Sequence, residues 1–212
     1  MKELLMINFK NVQDKVAVVN PGIKSFEDFW LNRKSVKPSS SQSGEFIIFD
    51  TATYGETKNY SLLYDLMVSL RKDHNIPVKL WSYANPYDCP RENKIVDLDK
   101  MAFRRAQKAD CIEVLPQYSH KQTLFEELIK ADMWISFSQT EALSYTTLDI
   151  NQLSIPKLVV DNQINREFAD KFTNFLDPDN FSEATQIIIS MLDQSKKGQV
   201  EFIHPRKLWH DY

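Results

Sequence analysis

Two carboxylates, Glu141 and Asp149, stand eight positions apart in the stretch "TEALSYTTLD", between the apolar runs "MWISF" and "IPKLVV". Carboxylates accept hydrogen bonds from vicinal hydroxyls, so a pair set along one helix suits a ligand with hydroxyl-bearing groups on either side of a phosphate. At about 1.5 Å per residue the second acid lies on the same helix face as the first, roughly 10 Å further along. If that helix starts near residues 142 to 145, the first-turn backbone N–H groups of Ala142, Leu143, Ser144 and Tyr145 are offered to an anion. Lys58, in "DTATYGETKNY", adds a positive charge after an earlier apolar run. The plainer alternatives are a surface acid, a second acid on a helix surface and a solvated lysine.

A second acidic pair, Asp97 and Asp99, lies in "VDLDK". An Asp-x-Asp pair can hold a divalent metal that carries a diphosphate. The alternative, which the short and polar-flanked "KIV" favours, is that Asp97 caps a helix starting at Leu98. Cys89 and Cys111 are too far apart in sequence to form a metal knuckle, and no metal site is expected.

The elements that must position these residues follow from hydrophobic patterning. From residue 45 onward, short apolar runs alternate with helical periodicity, the pattern of a mainly parallel sheet covered by helices on both faces. "EFIIFD", "PVKLWSY", "CIEVLP", "MWISF" and "KLVV" read as strands. "NYSLLYDLMVSLRK" carries Leu62, Leu63, Leu66, Met67 and Leu70 at helical spacing. Further helices are predicted at 98–109, in "KQTLFEELIKA", at about 142–153, near 165–171 and in "FSEATQIIISMLD". The expected fold class is therefore α/β, a Rossmann-like three-layer domain over 45–212, preceded by a lead-in or hinge over 1–44 that ends in the Ser-rich "KSVKPSSSQSGE". In an open parallel sheet the ligand crevice lies beyond the carboxyl ends of the strands, which is where Glu141 and Lys58 fall.

Composition narrows the function classes. The 212 residues are 42% hydrophobic and 26% charged, with a net charge of -3, so no electrostatic bias points to nucleic acid or an anionic membrane. Two cysteines cannot make a disulfide framework, and no run approaches the roughly 20 apolar residues of a membrane span. A cytoplasmic protein is expected.

The stretch "LFEELIKADMWISFSQTEALSYTTLDINQLSIPKLVVDN" resembles the donor-binding half of GT-B glycosyltransferases, above all the retaining group 1 type, which carry an acid, seven residues and a second acid. "FTNFLDPDNFSEATQIIISMLDQ" continues that likeness, and "FDTATYGETKNYSLLYDLM" is similar to the family's phosphate-binding basic loop and helix, with Lys58 as the lysine. The resemblance implies a domain forming one half of a GT-B architecture. It implies a glycosyltransferase moving a sugar from a nucleotide-sugar to an acceptor hydroxyl, without a metal or other cofactor. In that reading Glu141 contacts the sugar, Asp149 the ribose, Lys58 and the amides of residues 142–145 the diphosphate, while Tyr118 and His120 of "QYSH" lie where the family meets the base. His120 is otherwise read as part of the following helix start. An N-terminal acceptor-binding domain or subunit is implied as partner, because the likeness begins where that domain ends in the family; the acceptor stays open. Asp149 replaces the family's glutamate, and Ala142, Ser144 and Ser154 stand where glycines are usual, in a chain with 4 Gly. The basic loop lacks the family's arginine. Two other readings are a non-catalytic partner-binding or regulatory subunit, and a compact metal-dependent GT-A transferase using Asp97 and Asp99.

Overall fold

In the computed structural model, which describes residues 44–117, 121–139, 145–177 and 180–195, "FIIFD" forms strand β1 (Phe46–Asp50), buried at every position. A parallel strand covered on both faces has no polar side to show, and so reads as an unbroken apolar run. Five strands join it: β2 (Val78–Ser82), β3 (Ile112–Val114), β4 (Met133–Ser136), β5 (Lys157–Val160) and β6 (Thr173–Leu176). All neighbours pair in parallel, in the order β3-β2-β1-β4-β5-β6. Between them run helices α1 (Tyr60–Lys72), α2 (Lys94–Lys108), α3 (Lys121–Leu128), α4 (Tyr145–Ile150), α5 (Gln163–Glu167) and α6 (Phe181–Ser195).

Alternate side chains of β1 enter different cores, which makes the molecule three-layered. Phe46 and Ile48 pack with Leu63, Met67 and Leu70 of α1, Ala102 and Phe103 of α2, and Ile188 and Leu192 of α6. Ile47 and Phe49 face the other way, onto Leu124, Phe125 and Leu128 of α3 and Ile150 of α4. This period of two, with both sets buried, is the signature of a doubly wound sheet. Strand order reverses between β1 and β4, so the chain leaves these two neighbouring strands in opposite directions and opens a crevice above their carboxyl ends.

Several boundaries differ from the sequence reading. Helix α2 begins at Lys94 and not at Leu98, because the Asn93 side chain accepts hydrogen bonds from the Ile95 and Val96 amides at 3.0 Å. Asp97 is therefore no cap; it is an exposed acid in the first turn. Helix α5 covers Gln163–Glu167, earlier than expected, capped by Asn162 accepting from the Asn165 amide at 2.8 Å. Strand β6 was not expected: among its four residues only Leu176 is buried, as befits an edge strand. The expected lead-in, apart from Gly44, and the tail beyond residue 195 lie outside the described residues. No helix among the described residues is long and apolar enough to cross a membrane.

The amino end of the sheet is tied by charge. Lys157, the first residue of β5, is wholly buried, and its Nζ donates to the Leu153 and Ile155 carbonyls and to Asp170 Oδ2 at 2.8 Å. Asp132, just before β4, accepts from the Ile47 amide of β1 at 2.8 Å.

Candidate functional site

The carboxyl end of the sheet is built differently, around the segment that joins β1 to α1. This segment crosses the top of β1, makes a single 3-10 turn over Glu56–Lys58 and enters α1 through Asn59, whose φ of 51° lies in the left-handed region that Asn tolerates better than most residues. Three hydrogen bonds tie it across the switch point to the segment leaving β4. Lys58 Nζ donates to Ser138 Oγ at 3.0 Å, Asn59 Nδ2 to the Phe137 carbonyl at 3.1 Å, and the Gln139 amide to the Thr57 carbonyl at 3.1 Å. Lys58 is thus held between the two strands where a doubly wound sheet receives its ligand.

Two buried acids support this segment from below and beside. Asp50 ends β1; its Oδ2 accepts from the Tyr60 hydroxyl at 2.9 Å and from Ser82 Oγ at 3.0 Å, and its Oδ1 from the Ala52 amide at 3.3 Å. Burial pushes the Asp50 carboxyl up from 3.8 to about 6, against the opposing pull of the Ala52 amide, the two hydroxyls and the Lys58 charge. Asp99, 1% exposed on α2, accepts from the Tyr54 hydroxyl at 2.6 Å and from the Ser61 amide at 2.7 Å. It thereby caps α1 from a neighbouring helix, in place of Asn59, whose own side chain makes no cap bond. Tyr54 and Tyr60 stack at 5.4 Å, and Tyr60 and Tyr64 at 5.5 Å. Burial first, then the Asp99 hydrogen bond for Tyr54 and the Asp50 charge for Tyr60, raises both phenols, so their hydroxyls stay protonated donors.

The strand ends on the β1, β2 and β3 side form an open cleft of about 500 Å³, lined by Tyr54 and Glu56 after β1, Tyr83, Asn85 and Arg91 after β2, and Gln117 after β3; Lys58, two residues beyond Glu56, does not line it. That volume falls in the range of small-molecule sites. Glu56 closes one wall by accepting from Arg91 at 3.1 Å and from Asn93 Nδ2 at 3.2 Å.

The structure places the sequence candidates unevenly. Lys58 lies in the 3-10 turn after β1 and donates to Ser138 in the segment after β4. Asp149 is 4% exposed on α4, so it is no solvated helix-surface acid. Tyr145 opens α4, whereas Glu141, Ala142, Leu143, Ser144, Tyr118 and His120 lie outside the described residues. The Asp-x-Asp metal reading meets a geometric obstacle: residues two apart on a helix face apart, and both Asp99 oxygens are engaged by Tyr54 and Ser61. Among the described residues no group of three or more His, Cys, Asp or Glu side chains is placed to hold a metal. Sequence reasoning missed Asp50, Tyr60 and Ser138 as parts of this site. The available signal was an acid at the very end of an apolar strand, where a parallel sheet presents its crevice.

No protein-family model and no curated protein matches the chain. Solved structures do. A glycosyltransferase from Rickettsia africae ESF-5 aligns with a TM-score of 0.69 at 16% identity over 91% of this chain and 51% of its own. The C-terminal domain of the group 1 glycosyltransferase LpcC from Francisella tularensis aligns at 0.57 and 13% identity, over 82% and 85% of the two chains. TarM aligns at 0.54 and 17% identity over 77% of this chain, which spans only 31% of TarM. At these identities the likeness is one of fold: the chain has the Rossmann-like fold of one half of a GT-B glycosyltransferase.

Proposed function

We propose that this domain binds a nucleotide-sugar above the carboxyl end of its sheet and, with an N-terminal acceptor-binding domain or subunit, transfers the sugar to an acceptor hydroxyl with retention of configuration. The observation that carries the reading is the place of Lys58, held by Ser138 Oγ across the switch point. Transfer breaks the bond between the anomeric carbon and the diphosphate oxygen, forms one to the acceptor oxygen, and releases the acceptor proton. Negative charge grows on the departing diphosphate, and a preorganised ammonium stabilises it without a metal. Glu141 contacts the sugar, Asp149 the ribose, directly or through water, and the amides of residues 142–145 the phosphates. Tyr118 and His120 lie beside the base. The domain has the same fold as one half of known glycosyltransferases, which supports this division of labour.

A thermal-shift panel of uridine, guanosine and adenosine diphosphate sugars, with and without manganese, tests the reading. Stabilisation by at least one donor without manganese is expected. No shift and no binding at millimolar ligand by the folded protein overturns donor binding, and a shift seen only with manganese overturns the metal-free mechanism. The absence of the family's glycines at 142, 144 and 154 favours a second reading, a non-catalytic partner-binding subunit. Glu141→Gln separates the two, abolishing transfer in an enzyme and leaving partner binding intact in a scaffold.

A further inference from the structure

Helix α2 carries an acid where its pattern calls for an apolar residue. Its inward face consists of Val96, Asp99, Ala102, Phe103 and Ala106, all buried. A buried carboxylate in that row is costly unless its oxygens are met by donors, and the two donors it finds both belong to the segment that carries Lys58. Tyr54, four residues before Lys58, donates its hydroxyl to Oδ2, and Ser61, three residues after, donates its backbone N–H to Oδ1. A third link lies at the start of α2, where the N-cap Asn93 caps the helix with its oxygen and donates its Nδ2 to Glu56, inside the same 3-10 turn as Lys58. The segment is therefore anchored to α2 on both sides of Lys58 and, across the switch point, to Phe137, Ser138 and Gln139.

We infer that Asp99 is a positioning residue: by holding Tyr54 and Ser61 from α2, it fixes the loop that aims Lys58 into the crevice. The inference rests on the donor-binding reading of Lys58, but its mechanical part stands apart from that reading. If Asp99 served only to cap α1, its removal would loosen the amides of the first turn, Ser61 above all. If it fixes the whole segment, its removal also loosens the far attachment, the Gln139 amide that donates to the Thr57 carbonyl.

Two measurements on the full chain test this. Amide hydrogen exchange is followed at Ser61 and Gln139 in the parent, in Asp99→Leu, and in Tyr54→Phe, which removes one hydroxyl and keeps the fold if Asp99→Leu does not. Exchange at Gln139 is expected to rise about tenfold in both variants, the scale of a lost hydrogen bond to a buried charge. Unchanged exchange at Gln139, with Ser61 alone accelerated, overturns the inference. Uridine, guanosine and adenosine diphosphates are then titrated calorimetrically. The diphosphate that binds best is expected to bind about tenfold more weakly to Asp99→Leu, and no more weakly to Asp99→Leu with Lys58→Met than to Lys58→Met alone. Equal weakening by Asp99→Leu in both backgrounds shows that Asp99 does not act through Lys58. If none of the diphosphates binds the parent, the donor-binding reading falls, while exchange at Gln139 still decides whether Asp99 holds the loop.

Discussion

Acids at the two ends of the sheet, Asp170 at the amino end and Asp50 and Asp99 at the carboxyl end, are met in different ways. At the amino end, Lys157 and Asp170 meet directly at 2.8 Å, the lysine wholly buried and its remaining donors spent on the Leu153 and Ile155 carbonyls. At the carboxyl end, Asp50 and Asp99 are met by tyrosine and serine hydroxyls and by backbone amides. An ion pair fixes geometry and neutralises itself. Acids held by neutral donors fix geometry while keeping their charge. The amino end is built as a lock, the carboxyl end as a support.

That contrast can be broken first where the expected effect is largest. Asp170→Ala leaves Lys157 buried without its counter-charge and is expected to cost about 3–5 kcal/mol in urea unfolding. Replacing both partners, Lys157→Met with Asp170→Leu, is expected to restore most of that loss. A loss below about 1 kcal/mol in the single variant would show that Lys157 sheds its proton or finds water, and the lock would not be one. Burial does push Lys157 down, opposed by the Asp170 charge.

Next comes the pH dependence of the carboxyl end. Asp50 has a folded-state value of about 6 against an ordinary 3.8, so the folded chain holds its proton more tightly than the unfolded chain. The stability this group contributes is full below about pH 3.8 and is lost as pH rises through about 6. At about 1.4 kcal/mol per pH unit, the loss is on the order of 3 kcal/mol. Urea unfolding between pH 4 and 7 is expected to show this downward contribution in the parent and not in Asp50→Asn. Identical pH slopes in the two proteins would mean that the hydroxyls of Tyr60 and Ser82 offset the burial of the charge entirely. The smallest effect belongs to the exposed pair Arg105 and Asp65, at 2.7 Å: Arg105→Ala is expected to change stability by no more than about 1 kcal/mol. A larger loss would show that charge pairing, and not burial, sets the contrast between the two ends.

The sequence carried the sheet well where strands are buried on both sides. β1, β4 and β5 are short, nearly continuous buried runs, β2 shows the alternation of a strand, and α1 and α6 display clean helical periods. It failed where a different constraint ruled. β6, "TNFL", lies at an edge with one buried residue, so its pattern is that of a loop. The start of α2 was hidden because Ile95 and Val96 are β-branched, and the cap Asn93 precedes them without an apolar neighbour to announce it. Asp99 was visible as an acid but was paired with Asp97 by sequence spacing, whereas helical geometry turns one out and the other in. An acid falling in the row of Val96, Ala102, Phe103 and Ala106 was the readable sign of a buried carboxylate with dedicated partners. The position of Lys58 near the carboxyl end of the sheet was legible through its place after the first strand. Its partner Ser138 was not, because nothing in "SFSQ" marks which serine faces across the switch point.

A calorimetric titration with nucleoside diphosphate sugars, parent against Lys58→Met, decides whether Lys58 at the switch point receives a diphosphate. Binding to the parent is expected without a divalent metal, weakened by about tenfold to a hundredfold in Lys58→Met, the scale of a lost charge-assisted contact, with the unfolding midpoint unchanged. Binding of equal strength in the two proteins would contradict it.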